Sequence, residues 1–175
     1  MNIKQMGNEG WTLAELMIVI ALIGIMAAMA DWSMRDYALT VRLRSAADMI
    51  GTDIRKARHS VFVSKESYHI DFDPKTGTYI VNDASRIPLP KGISFGAAPG
   101  VTGKPSDPYK APPTDGITFK AEGGENRAKF LPKGLVVPTG AVYLTNGRET
   151  MAITVSLNGH TTLWLSNGGN KWVEL

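Results

Sequence analysis

Residues 10–30 read Gly10-Trp-Thr-Leu-Ala-Glu15-Leu-Met-Ile-Val-Ile-Ala-Leu-Ile-Gly-Ile-Met-Ala-Ala-Met-Ala30, and the predicted fold is organised around this apolar stretch. After Glu15 it contains no charged residue and no proline. As a helix that rises about 1.5 Å per residue, some 20 residues would cover roughly 30 Å, the hydrocarbon thickness of a bilayer. The pattern therefore predicts a transmembrane helix over 11–30, in which the Glu15 carboxylate needs a partner.

Two ordinary interpretations compete for this stretch. Ala28-Met29-Ala30 has the form of a signal-peptidase site. A secretory signal should begin with a positive region, however, and here Lys4 is outweighed by Glu9 and Glu15. An uncleaved membrane anchor would leave the carboxylate of Glu15 without a partner.

The same residues, 10–28, resemble the class III signal of type IV pilins and type II secretion pseudopilins. The resemblance implies a prepilin leader peptide over 1–10, cleavage by a prepilin peptidase between Gly10 and Trp11, and N-methylation of Trp11. It also implies that Glu15 pairs with the terminal amine of a neighbouring subunit during assembly. The membrane helix would be carried by apolar side chains that recur along the segment: Leu16, Ile18, Ile20, Leu22 and Ile25.

Two positions depart from the pattern of that family. Its new first residue is usually phenylalanine, whereas this chain has Trp11. Many pilins carry a proline just past the apolar run, where this chain has Asp31-Trp32-Ser33. Without a proline to break it, the helix is expected to continue.

An amphipathic pattern follows over 31–60. Apolar residues recur there at steps of three and four, at Tyr37, Val41, Leu43, Ala46, Ala47, Ile50 and Ile54. The pattern predicts one long helix of about 50 residues, of which the second half packs one face on a globular domain. The basic cluster Arg55, Lys56 and Arg58 would either complement the dipole at the helix C-terminus or contact a partner.

From residue 61 to 175 the pattern changes to short alternating strands. Residues 67–73 and 78–82 flank Pro74-Lys-Thr-Gly77, which predicts a β-hairpin. Asn146-Gly147 and Asn158-Gly159 predict tight turns. Further strands are expected at 92–95, 116–119, 127–131, 141–145, 151–157, 161–165 and 171–175. The predicted fold class is thus α+β, a long N-terminal helix followed by an antiparallel β-sheet domain of pilin-like type, with two packed sheets.

Residues 96–116 contain five prolines and no apolar period. They predict a long surface loop, and loops of this length are usually functional or disordered. Both interpretations are open for this segment.

A second resemblance covers the C-terminal half. Residues 116–119, 130–134, 141–147 and 153–159 follow the order of strands in the GspH/FimT group of minor pseudopilins and minor pilins. Some pilins of that group bind DNA through an arginine-bearing turn after the strand that corresponds to 153–157. Here the turn reads Asn158-Gly159-His160-Thr161 and lacks arginine. Nucleic-acid binding is therefore not expected.

Composition limits the chemistry that this chain of 175 residues can perform. It has no cysteine, which excludes disulfides and thiol catalysis, and its net charge of +3 is spread along the chain. His59, His69 and His160 are interpreted as surface or packing residues, and Asp71-x-Asp73-x-Lys75-x-Gly77 as a hairpin turn, since Lys75 stands where a calcium ligand is required. We predict no enzyme activity, no catalytic residue, no metal site and no cofactor.

The expected function is that of a minor pseudopilin, a structural subunit of the type II secretion pseudopilus. Its partners would be the prepilin peptidase, other pilin or pseudopilin subunits and the inner-membrane assembly platform. It would lie in the bacterial inner membrane as a single-pass protein with its C-terminal domain in the periplasm, and enter a pilus or pseudopilus. The alternatives are a minor pilin of a type IV pilus, active in pilus assembly or DNA uptake, and a monomeric anchored or secreted periplasmic binding module.

Overall fold

One long helix, α1, comprises the 52 residues Leu13–Ser64. The computed structural model describes residues 11–107, 109–121 and 123–175, and the side chains of 28–33 lie outside this description. The predicted leader, 1–10, also lies outside the described residues. The chain divides into two compact units, one ending at Ala38 and the other comprising Leu39–Leu175, so that α1 contributes residues to both.

A capping box starts the helix. The Thr12 hydroxyl accepts a hydrogen bond from the Glu15 backbone N–H (3.2 Å), and the Glu15 carboxylate accepts one from the Thr12 backbone N–H (3.0 Å). Each side chain thereby satisfies a backbone donor that the first helical turn leaves free. The spacing Thr12-x-x-Glu15 of this capping box is visible in the sequence.

The helix ends one turn later than the amphipathic pattern suggested. Lys65 takes a left-handed conformation (φ 60°) and its N–H donates to Val61 O (3.1 Å), which closes the last turn. The last turn contains no basic residue, so the interpretation of Arg55, Lys56 and Arg58 as dipole-complementing cations is wrong, because that effect is confined to the last turn. Arg58 instead places its guanidinium carbon 5.9 Å from the centroid of the Phe62 ring.

The predicted transmembrane half of the fold class is wrong, and so is the expected location as a single-pass inner-membrane protein. Within the part of the chain that the structure describes, no helix combines the length and the apolarity that crossing a membrane requires. The role of membrane helix is accordingly withdrawn for Leu16, Ile18, Ile20, Leu22 and Ile25.

Ten strands follow the helix and form two five-stranded antiparallel sheets. The strands are β1 Tyr68–Asp73, β2 Thr78–Val81, β3 Arg86–Pro88, β4 Ser94–Phe95, β5 Arg127–Phe130, β6 Val136–Val137, β7 Gly140–Thr145, β8 Thr150–Val155, β9 Thr161–Ser166 and β10 Val173–Glu174. The first sheet has the order β3-β2-β1-β5-β6 and the second the order β10-β9-β8-β7-β4.

The main core of the larger unit joins the helix to both sheets. The helix contributes one stripe of fully or almost fully buried residues at three- and four-residue spacing: Leu43, Ala46, Ala47, Ile50, Ile54, Ala57 and Val61. The first sheet contributes residues such as Ile70 and Phe130, and the second Leu144 and Ile153. The apolar face predicted for the second half of the helix is therefore the face that packs on the β-domain.

A second, smaller core covers the other face of the second sheet. On β7, Val142 and Leu144 belong to the main core, whereas Ala141 and Tyr143 belong to the second cluster, as the alternation of a strand requires. Tyr143 meets Trp172 edge to face, with ring centroids 5.9 Å apart. Burial raises the pKa of the Tyr143 hydroxyl to about 12.

The β-hairpin and both Asn-Gly turns are confirmed. β1 and β2 pair in antiparallel register, and the Asp73 carboxylate accepts hydrogen bonds from the N–H of Lys75 and the hydroxyl of Thr76, which fixes the turn. In the turn after β7, the Asn146 side-chain oxygen accepts from the Glu149 N–H (2.8 Å).

Three details differ from the predicted strands. Residues 116–119 make only one isolated bridge, Ile117 to Val142, rather than a strand. β3 and β6 were not predicted, because Arg86–Pro88 and Val136–Val137 are too short to show an alternating pattern. Both are edge strands of the first sheet, and their pairing is decided by their neighbours.

The 96–116 segment folds onto the second sheet. The Ala98 N–H donates to the hydroxyl of Thr150 (2.7 Å), and the Trp172 indole N–H donates to Gly103 O (3.0 Å). Val101 is buried and bridges to Gly169. Part of this predicted loop is therefore a structural cover for the smaller core.

A buried hydrogen bond links the helix to the first sheet and carries a testable prediction. Tyr79, fully buried on β2, donates its hydroxyl proton to the Asp53 carboxylate (2.7 Å). Burial, and then Asp53, raise the pKa of Tyr79, which keeps the hydroxyl protonated as a donor. We expect Tyr79→Phe to lower the free energy of unfolding by about 2 kcal/mol, since the bond is made to a charged group.

Urea denaturation measures this effect. The control is Tyr109→Phe, because Tyr109 is 92% exposed and its hydroxyl should contribute nothing measurable. Equal stability of the Tyr79→Phe and Tyr109→Phe variants would contradict the prediction.

Candidate functional site

The first unit presents a helix whose apolar side chains remain exposed. The five residues assigned from the sequence are all between 52% and 66% exposed: Leu16, Ile18, Ile20, Leu22 and Ile25. Leu13, Met17, Ile23 and Met26 are exposed as well. At about 100° per residue these positions surround the helix rather than forming one stripe. We call residues 13–26 the apolar segment.

A helix that is apolar on all sides is normally buried. Fully burying one large aliphatic side chain contributes about 1.5–3 kcal/mol relative to leaving it in water. The apolar segment therefore has a large unused capacity to bind a second apolar surface.

Small residues line part of the apolar segment. Ala14, Ala21 and Gly24 are seven and three positions apart, which places them within about 80° around the helix axis. A Cβ atom added at Gly24 would meet nothing within 4 Å. Small side chains on one side allow another helix to approach closely.

Glu15 lies at the beginning of the apolar segment, and its carboxylate accepts hydrogen bonds within its own chain. The backbone N–H and the hydroxyl of Thr12 both donate to Glu15 Oε2, each at 3.0 Å. These hydrogen bonds hold the pKa of the Glu15 carboxyl below its ordinary value. The carboxylate is thus held ionised at the helix start, and both hydrogen bonds from Thr12 are made to Oε2.

The two processing residues are placed differently. Gly10 lies outside the described residues. Trp11 immediately precedes the capping box and is 74% exposed.

A second group of polar side chains lies on the first sheet. His69 Nε2 is 3.3 Å from Asp83 Oδ1 and 3.6 Å from Asp71 Oδ2. Arg127 forms a two-pronged ion pair with Asp71, in which Nη2 is 2.9 Å from Oδ2 and Nε contacts Oδ1. Arg127 Nη1 also lies 3.3 Å from Glu125.

The proximity of His69 to Asp71 could have been predicted from the sequence. His69 and Asp71 are two positions apart on β1, and residues with that spacing project from the same face of a strand. This spacing was overlooked when His69 was interpreted as a surface or packing residue. The position of Asp83 could not be predicted from sequence spacing, because only the pairing of β1 with β2 brings the turn that carries Asp83 beside His69.

A cavity of about 550 Å³ lies over the outer face of the second sheet. Its wall includes Thr118, Thr139, Thr154 and Thr162, beside His160 and Lys104. Thr118 and Thr154 are already engaged, since Thr118 accepts a hydrogen bond from the Ala141 N–H and Thr154 accepts one from the Trp164 indole N–H. Ala141 and Tyr143 of the smaller core also line the cavity, so its wall is part of the packing of that core.

His160 was interpreted from the sequence as a surface or packing residue, and its side chain is exposed. Its backbone closes the second Asn-Gly turn, where Ser156 N–H donates to His160 O (3.0 Å). His59, on the helix, is exposed as well.

Comparison of the chain with protein-family models, with curated proteins and with solved structures found no match.

Proposed function

We propose that this chain is a minor pseudopilin, a structural subunit that assembles into a type II secretion pseudopilus through its N-terminal helix. The observation that carries the proposal is the exposed apolar segment of α1, in a chain whose other unit has a complete core of its own. The resemblance of residues 10–28 to the class III signal indicates that the assembly is a pilin-like filament. The proposed occupant of the surface is the corresponding helix of other pilin-like subunits.

The two parts of α1 differ in burial, which supports a role in assembly for the first part and a role in folding for the second. From Leu43 to Val61 the helix buries one stripe against the sheets, whereas within the described part of the chain every residue from Leu13 to Met26 is exposed. A polar surface would suit a monomeric binding module better. Packing with other helices would remove the apolar segment from water.

Glu15 supports the proposal through its position and charge. Its carboxylate lies at the start of the apolar segment, and its hydrogen bonds with Thr12 use Oε2. In an assembly, Oε1 would accept a hydrogen bond from the terminal amine of a neighbouring subunit cleaved before Trp11. Such a pair would fix the axial register between helices that are otherwise held by non-directional apolar contacts.

Substitutions at Gly24 separate assembly from folding. Gly24→Leu should leave the fold of the single chain intact, since the space around Gly24 is open and leucine favours helix. The same change should reduce incorporation into the filament by about tenfold or more, because a large side chain prevents close approach of helices. Quantitative immunoblotting of sheared pseudopilus fractions from the native bacterium measures incorporation.

Gly24→Ala is the matched control. It adds only one methyl group, preserves the small surface and should retain incorporation. If Gly24→Leu enters filaments as efficiently as Gly24→Ala, helix packing at this position is not the mode of assembly.

Crosslinking identifies the occupant of the apolar segment directly. A photoreactive benzoylphenylalanine at Ile20 should form adducts with the N-terminal helix of another pilin-like subunit, identified by peptide mass spectrometry. The same group at Lys75, in the exposed β1–β2 turn, is the control and should not yield those adducts. Adducts at position 20 that contain no pilin-like helix would reject the proposal.

The N-terminus gives a further check. Mass spectrometry of the protein isolated from its native source should detect a chain that begins at N-methylated Trp11. A mature chain that retains residues 1–10, or that begins elsewhere, would remove the prepilin peptidase from the proposed partners.

A further inference from the structure

We infer that His69, Asp71 and Asp83 form a binding site for a divalent transition-metal cation such as Zn²⁺. One nitrogen and two carboxylate oxygens from these residues lie within 4.8 Å of one another. This site is on the first sheet, separate from the apolar segment, and it does not depend on the proposed function.

The spacing of the donor atoms suits a small cation. His69 Nε2 lies 3.3 Å from Asp83 Oδ1 and 3.6 Å from Asp71 Oδ2. In tetrahedral zinc sites the metal–ligand distances are about 2.0–2.2 Å, which places neighbouring ligand atoms about 3.4 Å apart. Two of the three ligand pairs therefore already have the separation that a bound zinc ion would impose.

Hydrogen bonding alone accounts for the cluster less well. A neutral imidazole has at most one proton on Nε2, so it can reach both carboxylate oxygens only through a shared, three-centre hydrogen bond with poorer geometry to each. A cation placed between the three atoms would contact all of them. Imidazole together with carboxylates favours Zn²⁺ and related ions, whereas Ca²⁺ and Mg²⁺ prefer six or more oxygen ligands.

The backbone holds the ligands in place. His69 and Asp71 are on the same face of β1, in the middle of the first sheet. The turn that carries Asp83 is tied to the same strand, because the Asn82 N–H donates to His69 O (2.8 Å). Both Asn82 (φ 48°) and Asp83 (φ 59°) adopt the left-handed conformation that this tight turn requires.

Arg127 is compatible with the site. Each carboxylate oxygen has two lone pairs, so Asp71 Oδ2 can accept from the guanidinium and also bind a cation. Carboxylates that ligate metals are commonly oriented by such hydrogen bonds. Asp71, Asp83 and Glu125 carry three negative charges, and Arg127 and Lys129 carry two positive charges, since Lys129 lies directly opposite His69 in the pairing of β1 with β5. The remaining negative charge favours binding of a cation.

The experiment is a titration of the purified full-length chain with Zn²⁺, followed by calorimetry, and with Co²⁺, followed by its visible absorption. The absence of cysteine removes competing thiol ligands. We expect one equivalent to bind, and His69→Gln and Asp83→Asn each to weaken binding by about tenfold or more. Ca²⁺ at the same concentration should not displace Co²⁺.

His160→Gln is the matched control, because it removes an exposed imidazole from the same unit and should leave the affinity unchanged. Circular dichroism of each variant checks that the fold is retained. We expect Asp83→Asn to leave the fold unchanged, because the side chain of Asp83 is exposed. Absence of a one-to-one complex in the wild type, or equal affinity in the His69→Gln, Asp83→Asn and His160→Gln proteins, would overturn the inference. Displacement of Co²⁺ by equimolar Ca²⁺ would overturn the assignment of the cation class.

Discussion

Gly116→Ala is expected to destabilise the protein by about 4 kcal/mol or more, a large part of the 5–15 kcal/mol that typically stabilises a domain. Gly116 has φ +69°, and a Cβ atom there would overlap the backbone nitrogen of Gly96 and lie 2.8 Å from Tyr143 O. Backbone atoms cannot move aside as a flexible side chain can. Gly116 is also held by hydrogen bonds at both of its backbone polar groups, since Tyr143 N–H donates to Gly116 O (2.7 Å) and Gly116 N–H donates to Pro113 O (3.0 Å).

Gly77→Ala is the control for the conformational part of this effect. Gly77 has a similar φ of +64°, but a Cβ atom there would meet nothing within 4 Å. This substitution should therefore cost only the left-handed strain, about 1–2 kcal/mol. Urea denaturation of both variants measures the difference, and losses within about 1 kcal/mol of each other would show that the close approach at Gly116 is unimportant.

Ile54→Ala should lower the free energy of unfolding by about 2–5 kcal/mol. Ile54 is fully buried in the stripe with which α1 packs on both sheets. Removing its outer carbon atoms loses apolar burial and leaves a cavity between elements that cannot close around it without moving the helix. Chemical denaturation followed by circular dichroism measures the change.

Ile18→Ala is the control on the same helix. Ile18 is 59% exposed, so in dilute monomeric protein its loss should change stability by no more than about 0.5 kcal/mol. If Ile18→Ala destabilised the monomer as much as Ile54→Ala, the apolar segment would already be buried within the single chain. That result would also remove the basis for assembly through this surface.

Ile54→Ala and Ile18→Ala are expected to differ because the two parts of α1 have different roles. Its second part belongs to the folding unit, and substitutions there are expected to act on stability. Its first part has no comparable core, and substitutions there are expected to act on association. Measurements of unfolding and of filament incorporation therefore report on different residues of α1.

Local patterns in the sequence predicted much of the larger unit. The three- and four-residue spacing of Leu43, Ala46, Ile50 and Ile54 indicated the buried helix face, because side chains at these intervals share one side of a helix. The β1–β2 hairpin and the turns at Asn146 and Asn158 were also predictable, since turn geometry depends on a few neighbouring residues.

The apolar segment shows where a pattern is insufficient. Its uncharged composition is plain in the sequence, and it led to the prediction of a transmembrane helix, which was wrong. Apolarity establishes that a surface favours removal from water, but it does not specify whether lipid or protein removes it. The capping box of Thr12 and Glu15, by contrast, was readable from the spacing of two residues.

The sequence by itself determined the features that depend on neighbours along the chain: the helix periodicity, the hairpin, the turns and the lack of thiol chemistry. Tertiary structure decided the division into two five-stranded sheets, the edge strands β3 and β6 and the course of residues 97–103 over the smaller core. It also placed Asp83 beside His69 and Arg127 beside Asp71. The physical reason is that strand pairing joins residues far apart in sequence, and the free energy of each pairing depends on the packing of the whole domain rather than on a local preference.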